Sequence, residues 1–185
     1  MNSAFFPAHR NWAALITLVV VSSVSCAGPR RDSAEGLDAL GSGSEVDRGA
    51  LRRSAEQVLD DWHQAASVGD RDRYLDHFAP DAVFLGTDQT ERWNLAELTA
   101  FVDEHFEPGK GWTYVPFERD TMLEVGAGLA WFDELLSNDS YGVVRGTGVL
   151  RHVEGTWRIV HYSLTFVIPN GVARDVVELV RSRAR

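Results

Sequence analysis

Residues 51–185 of this 185-residue chain read as one α+β domain, helices first and a run of long antiparallel strands after them. Three observations predict it. Apolar residues recur at three- and four-residue steps as far as Phe106, the spacing of a helix face. After Pro108-Gly109-Lys110-Gly111 the pattern changes to strands separated by short turn-forming clusters. The final strand carries apolar residues on both of its faces, so both need a cover.

The first helix is written in the stripe Leu51, Ala55, Val58, Leu59, Trp62, Ala65 and Ala66. Gly69 ends it, and Asp70 can cap a shorter helix carrying Tyr74, Leu75 and Phe78. Pro80-Asp81 breaks that pattern, and Ala82-Val83-Phe84-Leu85 is a short buried strand. Asn94 with Glu97 three residues on has the form of a capping box before a third helix striped by Leu95, Leu98, Phe101, Val102 and Phe106.

The long strands are expected over Trp112–Val125, Leu129–Ser137, Tyr141–Val153 and Thr156–Ile168. Gly126-Ala127-Gly128, Asn138-Asp139-Ser140 and Glu154-Gly155 punctuate them as hairpins. Pro116 cannot donate to a ladder, which marks the first of them as an edge or bulged strand. A last amphipathic helix follows Pro169-Asn170-Gly171, over Val172–Arg183.

Upstream, residues 1–26 have the order of an export signal: His9 and Arg10, an apolar run from Ala13 to Val21, then small residues before Cys26. The run is shorter than the ~20 residues a bilayer span needs. Val24-Ser25-Cys26 resembles the end of a bacterial lipobox, although Ser23 stands where Leu is usual. Cys26 is the only cysteine, so it has no partner for an internal disulfide, and lipidation there would use it. The expected location is a bacterial cell envelope, lipid-anchored, the alternative being a secreted or periplasmic protein. Residues 27–50 are Gly, Ser and charge with little to bury, a flexible linker.

The formal charge is −9, with no Lys/Arg-rich run. Nucleic acid and anionic lipid surfaces need cations the chain does not concentrate, so neither is an expected partner beyond the lipid anchor itself.

Three stretches carry a family resemblance: Phe78-Ala79-Pro80-Asp81-Ala82-Val83, Arg145-Gly146-Thr147-Gly148-Val149-Leu150-Arg151 and Trp157-Arg158-Ile159-Val160-His161. With the order of elements, residues 54–170 resemble the SnoaL-like branch of the nuclear-transport-factor-2-like superfamily, which includes the ketosteroid isomerases. The resemblance implies a cone, in which a strongly bent sheet wraps a long helix and leaves a pocket at the open end. It implies no single activity, since members include isomerases, cyclases, hydrolases, dehydratases and domains that only bind or dimerise. Ketosteroid isomerases place a general-base Asp four residues after the Ala of an Asp-Ala pair. Here that count from Ala82 lands on Gly86, which has no side chain to accept a proton, so a steroid isomerase is disfavoured.

Candidate chemistry falls in three places. In Thr87–Trp93, Asp88 could be a base, Arg92 could orient an anionic group and Trp93 could form a wall. The alternative there is a turn in which Asp88 or Thr90 bonds backbone amides. In Trp131-Phe132-Asp133-Glu134, adjacent side chains point to opposite faces, so one acid can enter a pocket. Asp133, sharing a face with Trp131 and Leu135, is the expected one, either as a base or as a structural partner of Arg145. His161 could join Asp133 and Arg145 in an acid/base and anion-binding group, or simply line the pocket. Trp62 is a further expected lining residue, and His63 beside it faces either the pocket or solvent.

No His/Cys/Asp spacing suits zinc, and the sequence contains no phosphate-binding Gly-rich loop, nucleophile elbow or Cys–His pair. The chemistry expected is therefore free of metal and cofactor: isomerisation, dehydration or hydrolysis of a small, largely apolar ligand. The alternative is a non-catalytic ligand-binding or dimerisation module. A homodimer is expected through an outer face carrying Tyr162, Leu164 and Phe166.

Overall fold

The computed structural model describes residues 47–183. The predicted export signal, Cys26 and the linker as far as residue 46 lie outside the described residues.

Helix α1, Arg48–Val68, starts three residues before the predicted boundary because the Asp47 side chain accepts from Ala50 N–H at 3.0 Å and caps it. It ends where Gly69 turns left-handed, at φ 65°, and its N–H closes on the carbonyls of Ala65 and Ala66. Asp70 caps α2, Arg71–Asp76. Strand β1, Phe78–Leu85, begins before Pro80-Asp81 rather than after it: the strand carries that exposed dipeptide through a break in register between Phe78 and Val83. Strand β2, Arg92–Asn94, was not anticipated and pairs antiparallel with β1. The capping box of α3, Leu95–His105, forms as predicted, with Asn94 and Glu97 exchanging hydrogen bonds of 2.9 and 3.0 Å.

The long strands are β3 (Val115–Glu124), β4 (Leu129–Asn138), β5 (Gly142–Val153) and β6 (Thr156–Phe166). They form one six-stranded sheet in the order β2-β1-β6-β5-β4-β3. All neighbours are antiparallel except β1 and β6. β3 is an edge strand with a bulge after Pro116, as the proline predicts. Helix α4, Ala173–Arg183, buries none of its residues.

α1 lies along the inner face of the sheet. Ala55, Leu59, Trp62, Ala65 and Ala66 pack with Phe132, Leu136, Val144, Leu150, Trp157, Ile159, Tyr162 and Leu164 into one core. Two registers decide which residues point there. On β4 the buried positions are Ala130, Phe132, Glu134 and Leu136, so Glu134 enters the interior and Asp133 is exposed. On β6 the partners Val149↔His161 and Leu150↔Ile159 leave Val160 as an extra residue. That bulge inverts the alternation midway: Trp157 and Ile159 face inward, and after it Tyr162 and Leu164 do. The expected outer strip of Tyr162 and Leu164 is thereby corrected, because both belong to the core and Tyr162 meets Trp62 edge-on at 4.7 Å.

Candidate functional site

A carboxylate buried among Phe132, Leu136 and Leu164 requires partners on every oxygen. Glu134, 1% exposed, has them. His63 Nε2 on α1 lies 2.8 Å from Oε1, and the Arg119 Nε of β3 donates to Oε2 at 2.8 Å. The Tyr162 hydroxyl donates to Oε1 across a longer 3.4 Å. Arg119 continues outward, its Nη1 donating to Asp60 Oδ1 at 2.7 Å. Helix and sheet are thus joined by a chain of polar contacts running Asp60–Arg119–Glu134–His63.

Burial alone pushes the Glu134 carboxyl up, but the hydrogen bonds and charges of His63 and Arg119 outweigh it and hold the group below the usual carboxylate range. Tyr162 moves the other way, well above its ordinary range, through burial and then the neighbouring Glu134 charge. With Glu134 ionised, its contact assigns a proton to His63 Nε2. In the neutral ring Nδ1 is then an acceptor.

His63 is also in the floor of a cavity. At the open end of the sheet a cleft of about 600 Å³ is walled by Phe84, Trp93, Phe101, Trp112 and Tyr114 and rimmed by Thr87, Glu91, His105, Asn138, Ser140 and Tyr141. Its aromatic wall is continuous, with Trp93 stacked on Phe101 at 4.5 Å and on Phe84 at 5.9 Å. Below it a narrow chamber of about 20 Å³ is lined by Trp62, His63, Ala66, Tyr74 and Tyr162. Phe84, Trp112, Tyr114 and Leu164 border both spaces. Two donors at the chamber, Trp62 Nε1 and the Tyr74 hydroxyl, are buried and make no hydrogen bond of ordinary geometry among the described residues, although the Trp62 and Trp112 side chains lie close enough to the Tyr74 oxygen to oppose the rise of its pKa. Burial pushes the Tyr74 phenol up, and the Tyr114 phenol up to about 12, so both stay protonated donors near neutral pH.

Of the predicted residues, Trp62 forms the floor and Trp93 a wall. Asp88 is an exposed turn residue whose Oδ1 accepts from the Thr90 N–H at 2.8 Å and hydroxyl at 2.6 Å, which lowers its pKa; the cavity is lined instead by its neighbours Thr87 and Glu91. Arg92 is exposed on β2 and lines neither space. Asp133, Trp131, Arg145 and His161 do gather on one face as expected, but it is the outer face of the sheet. Trp131 and His161 flank Val149, and Asp133 stands across from Thr147. The odd residue in β6 turns His161 away from α1, the phase of β4 turns Trp131 and Asp133 away, and Arg145 is exposed between the buried Val144 and Gly146 of β5.

The polar groups that do reach the floor include Tyr74 and Tyr162, neither of which was expected in the pocket, and His63, whose direction was open; Glu134 and Arg119 stand behind His63 and line neither space. A signal for His63 was available, since it follows the buried Leu59 by one helical turn. Among the described residues no group of three His, Cys, Asp or Glu is placed to hold a metal.

The comparisons with known proteins agree with this architecture. A family model described as SnoaL-like domain matches residues 55–169. An NTF2-like protein of unknown function from Pseudomonas putida KT2440 superposes with a TM-score of 0.56 at 18% identity, over 66% of this chain and 90% of that one. A protein from Streptomyces avermitilis, provisionally called a dehydratase of the NTF2-like family, gives 0.53 at 9% identity over 65% and 99%. One from Nostoc punctiforme PCC 73102, of unknown function and described as having a cystatin-like fold, gives 0.50 at 16% over 64% and 91%. These likenesses show the fold. Among curated proteins none matches.

Proposed function

The chain belongs to the SnoaL-like domain family, and on that premise we propose that its cone binds a small, largely apolar, ring-bearing molecule whose oxygen-bearing end reaches the floor. The observation that carries the reading is the pair of unpartnered buried donors, Trp62 Nε1 and the Tyr74 hydroxyl, at the end of an aromatic cleft. A buried donor left unpaired costs ~1–3 kcal/mol, which an acceptor oxygen on the ligand recovers. The aromatic wall supplies the apolar contact and the donors supply orientation.

Turnover in the cone is cofactor-free acid/base chemistry of the isomerase or dehydratase type. His63 is the floor's proton carrier in that reading, and Glu134 its positioning residue, since every Glu134 oxygen is already engaged. The provisional dehydratase name of the Streptomyces relative is consistent with this class. The second reading, a binding module without turnover, is favoured by the same engagement: Glu134, Arg119 and Asp60 are closed into ion pairs.

Matched probes test the binding. Acetonaphthone should bind roughly fivefold to tenfold more tightly than ethylnaphthalene, the difference expected of one hydrogen bond. Tyr74→Phe should erase most of that difference. Equal affinity for the two probes in the wild-type protein would sink the oxygen assignment, and binding of neither would sink the ligand reading as a whole.

Export and lipid anchoring belong to the proposal too, supported by the order of residues in 1–26 alone. In a bacterial host, labelled palmitate should enter the wild-type chain and be absent from Cys26→Ser. An unlabelled wild-type chain would remove the anchor.

A further inference from the structure

We propose, building on the aromatic-cleft reading, that the ligand is an organic cation whose ammonium group sits at the mouth beside Glu91 and Asp139. The ligand's oxygen end still goes to the floor, where Trp62, 3% exposed, leaves its Nε1 donor without an acceptor.

The charges at the mouth are of one sign. Glu91 and Asp139 line the cleft, no Lys or Arg does, and neither acid lines the chamber below. Neither has an ion pair among the described residues. The cations nearest in sequence are engaged or turned elsewhere. Arg92 is exposed and lines neither space, and Lys110 Nζ lies 3.4 Å from Glu107. Arg145 is on the outer face of the sheet, opposite Leu135.

Both acids are placed by the turns that carry them. The half-buried Glu91 side chain folds across Gly86, where an added Cβ would overlap Oε2 and lie 2.9 Å from the Glu91 Cβ. The Asp88 N–H donates to Oε2 at 3.0 Å, which leaves Oε1 without a hydrogen bond among the described residues. Asn138 shapes the other turn: its Oδ1 accepts from the Ser140 and Tyr141 N–H groups at 2.9 Å each, and its Nδ2 donates to the Thr113 carbonyl at 2.9 Å.

The wall that these acids rim is aromatic, and the face of a ring attracts a cation. His105 extends that wall, stacked on Phe101 at 4.1 Å. Its Nδ1 donates to the Phe101 carbonyl at 2.8 Å, so the Nε2 of the neutral ring is one more acceptor at the rim. The Glu91 charge is felt across the cleft: after burial and Tyr141, it too pushes the Tyr114 phenol up. An anion here meets two carboxylates, whereas an ammonium gains both the carboxylates and the rings.

Three acetylnaphthalenes test this, carrying trimethylammonium, tert-butyl or carboxylate on the ring away from the acetyl group. The first two share a shape and differ by one charge. Titration calorimetry at low salt should show the cation binding roughly tenfold more tightly than its tert-butyl twin, and the carboxylate most weakly. Glu91→Gln, which keeps an acceptor for the Asp88 N–H, combined with Asp139→Asn should remove most of that preference and leave tert-butyl affinity unchanged. The chain as a whole carries −9, and attraction to that net charge alone would survive the double variant. Equal affinity of the cation and its twin in the wild-type protein would overturn the proposal and leave the ligand reading standing. So would a preference that survives the double variant, or tightest binding of the carboxylate. Binding of acetonaphthone but of none of the three would also overturn it, by closing the mouth to such groups. Failure of acetonaphthone as well would sink the ligand reading itself.

Discussion

Gly146 stands directly across the ladder from Glu134, and a Cβ added to it would lie 2.9 Å from Glu134 Oε1 and 2.3 Å from the Tyr162 hydroxyl. The bare backbone at this one position lets a glutamate and a tyrosine meet over β5, beneath His63. Gly148, two residues on, does the same for the Phe132 ring, which a Cβ would approach to 2.7 Å. The word Arg145-Gly146-Thr147-Gly148 is thus written by the site it floors.

Gly146→Ala should therefore destabilise the domain by ~1–3 kcal/mol, the usual cost of overpacking a filled interior. Urea unfolding followed by tryptophan fluorescence measures it. An unchanged midpoint would mean that Tyr162 and Glu134 have room the structure does not give them.

Removing Glu134 leaves the part-buried Arg119 with Asp60 as its remaining ion-pair partner and takes the acceptor from His63 Nε2. Glu134→Ala should cost ~3–5 kcal/mol. Glu134→Gln, which keeps the shape and one acceptor, should cost clearly less. Equal losses from the two variants would show that the lost charge, which they share, dominates over the cavity that only Glu134→Ala leaves behind.

Acid should loosen the fold through two carboxylates. Glu134 is lowered by His63 and Arg119 against its burial. Asp61 is lowered to about 2, chiefly by the hydrogen bond from Arg73 and, against burial, by His77. A group depressed in the folded state contributes stability above its unfolded value and loses it as pH falls through the folded one. The urea midpoint should hold near neutral pH and fall below about pH 4, less steeply in Glu134→Gln/Asp61→Asn. A double variant with the wild-type slope would assign acid sensitivity elsewhere.

Tyr74→Phe removes a buried hydroxyl that makes no hydrogen bond of ordinary geometry, so the ligand-free domain should be as stable or slightly more stable. Thermal unfolding decides it. A loss above ~1 kcal/mol would reveal a structural hydrogen bond and take Tyr74 out of the ligand's reach.

Asp133→Asn and His161→Ala alter the outer face and should leave probe affinity in the cleft unchanged, whereas His63→Ala should weaken it. Titration of acetonaphthone into each variant separates the two faces. Weaker binding in Asp133→Asn alone would return the site to the face first expected.

Local chemistry was legible from the residues alone: the α1 stripe, the Gly69 and Asp70 caps, the Asn94–Glu97 box and the edge position of β3 are each dictated by neighbours a few residues away. So were the α+β class and the resemblance, which rest on the order of such elements. Which side of a strand meets α1 is a different kind of fact. A period of two leaves the two faces equivalent until something far along the chain covers one of them. One extra residue, Val160, inverted the alternation of β6, and the covering of β4 by α1 chose Glu134 over Asp133. The choice followed from tertiary contact: a buried glutamate is tolerated only because His63, Arg119 and Tyr162, brought from three other elements, converge on it.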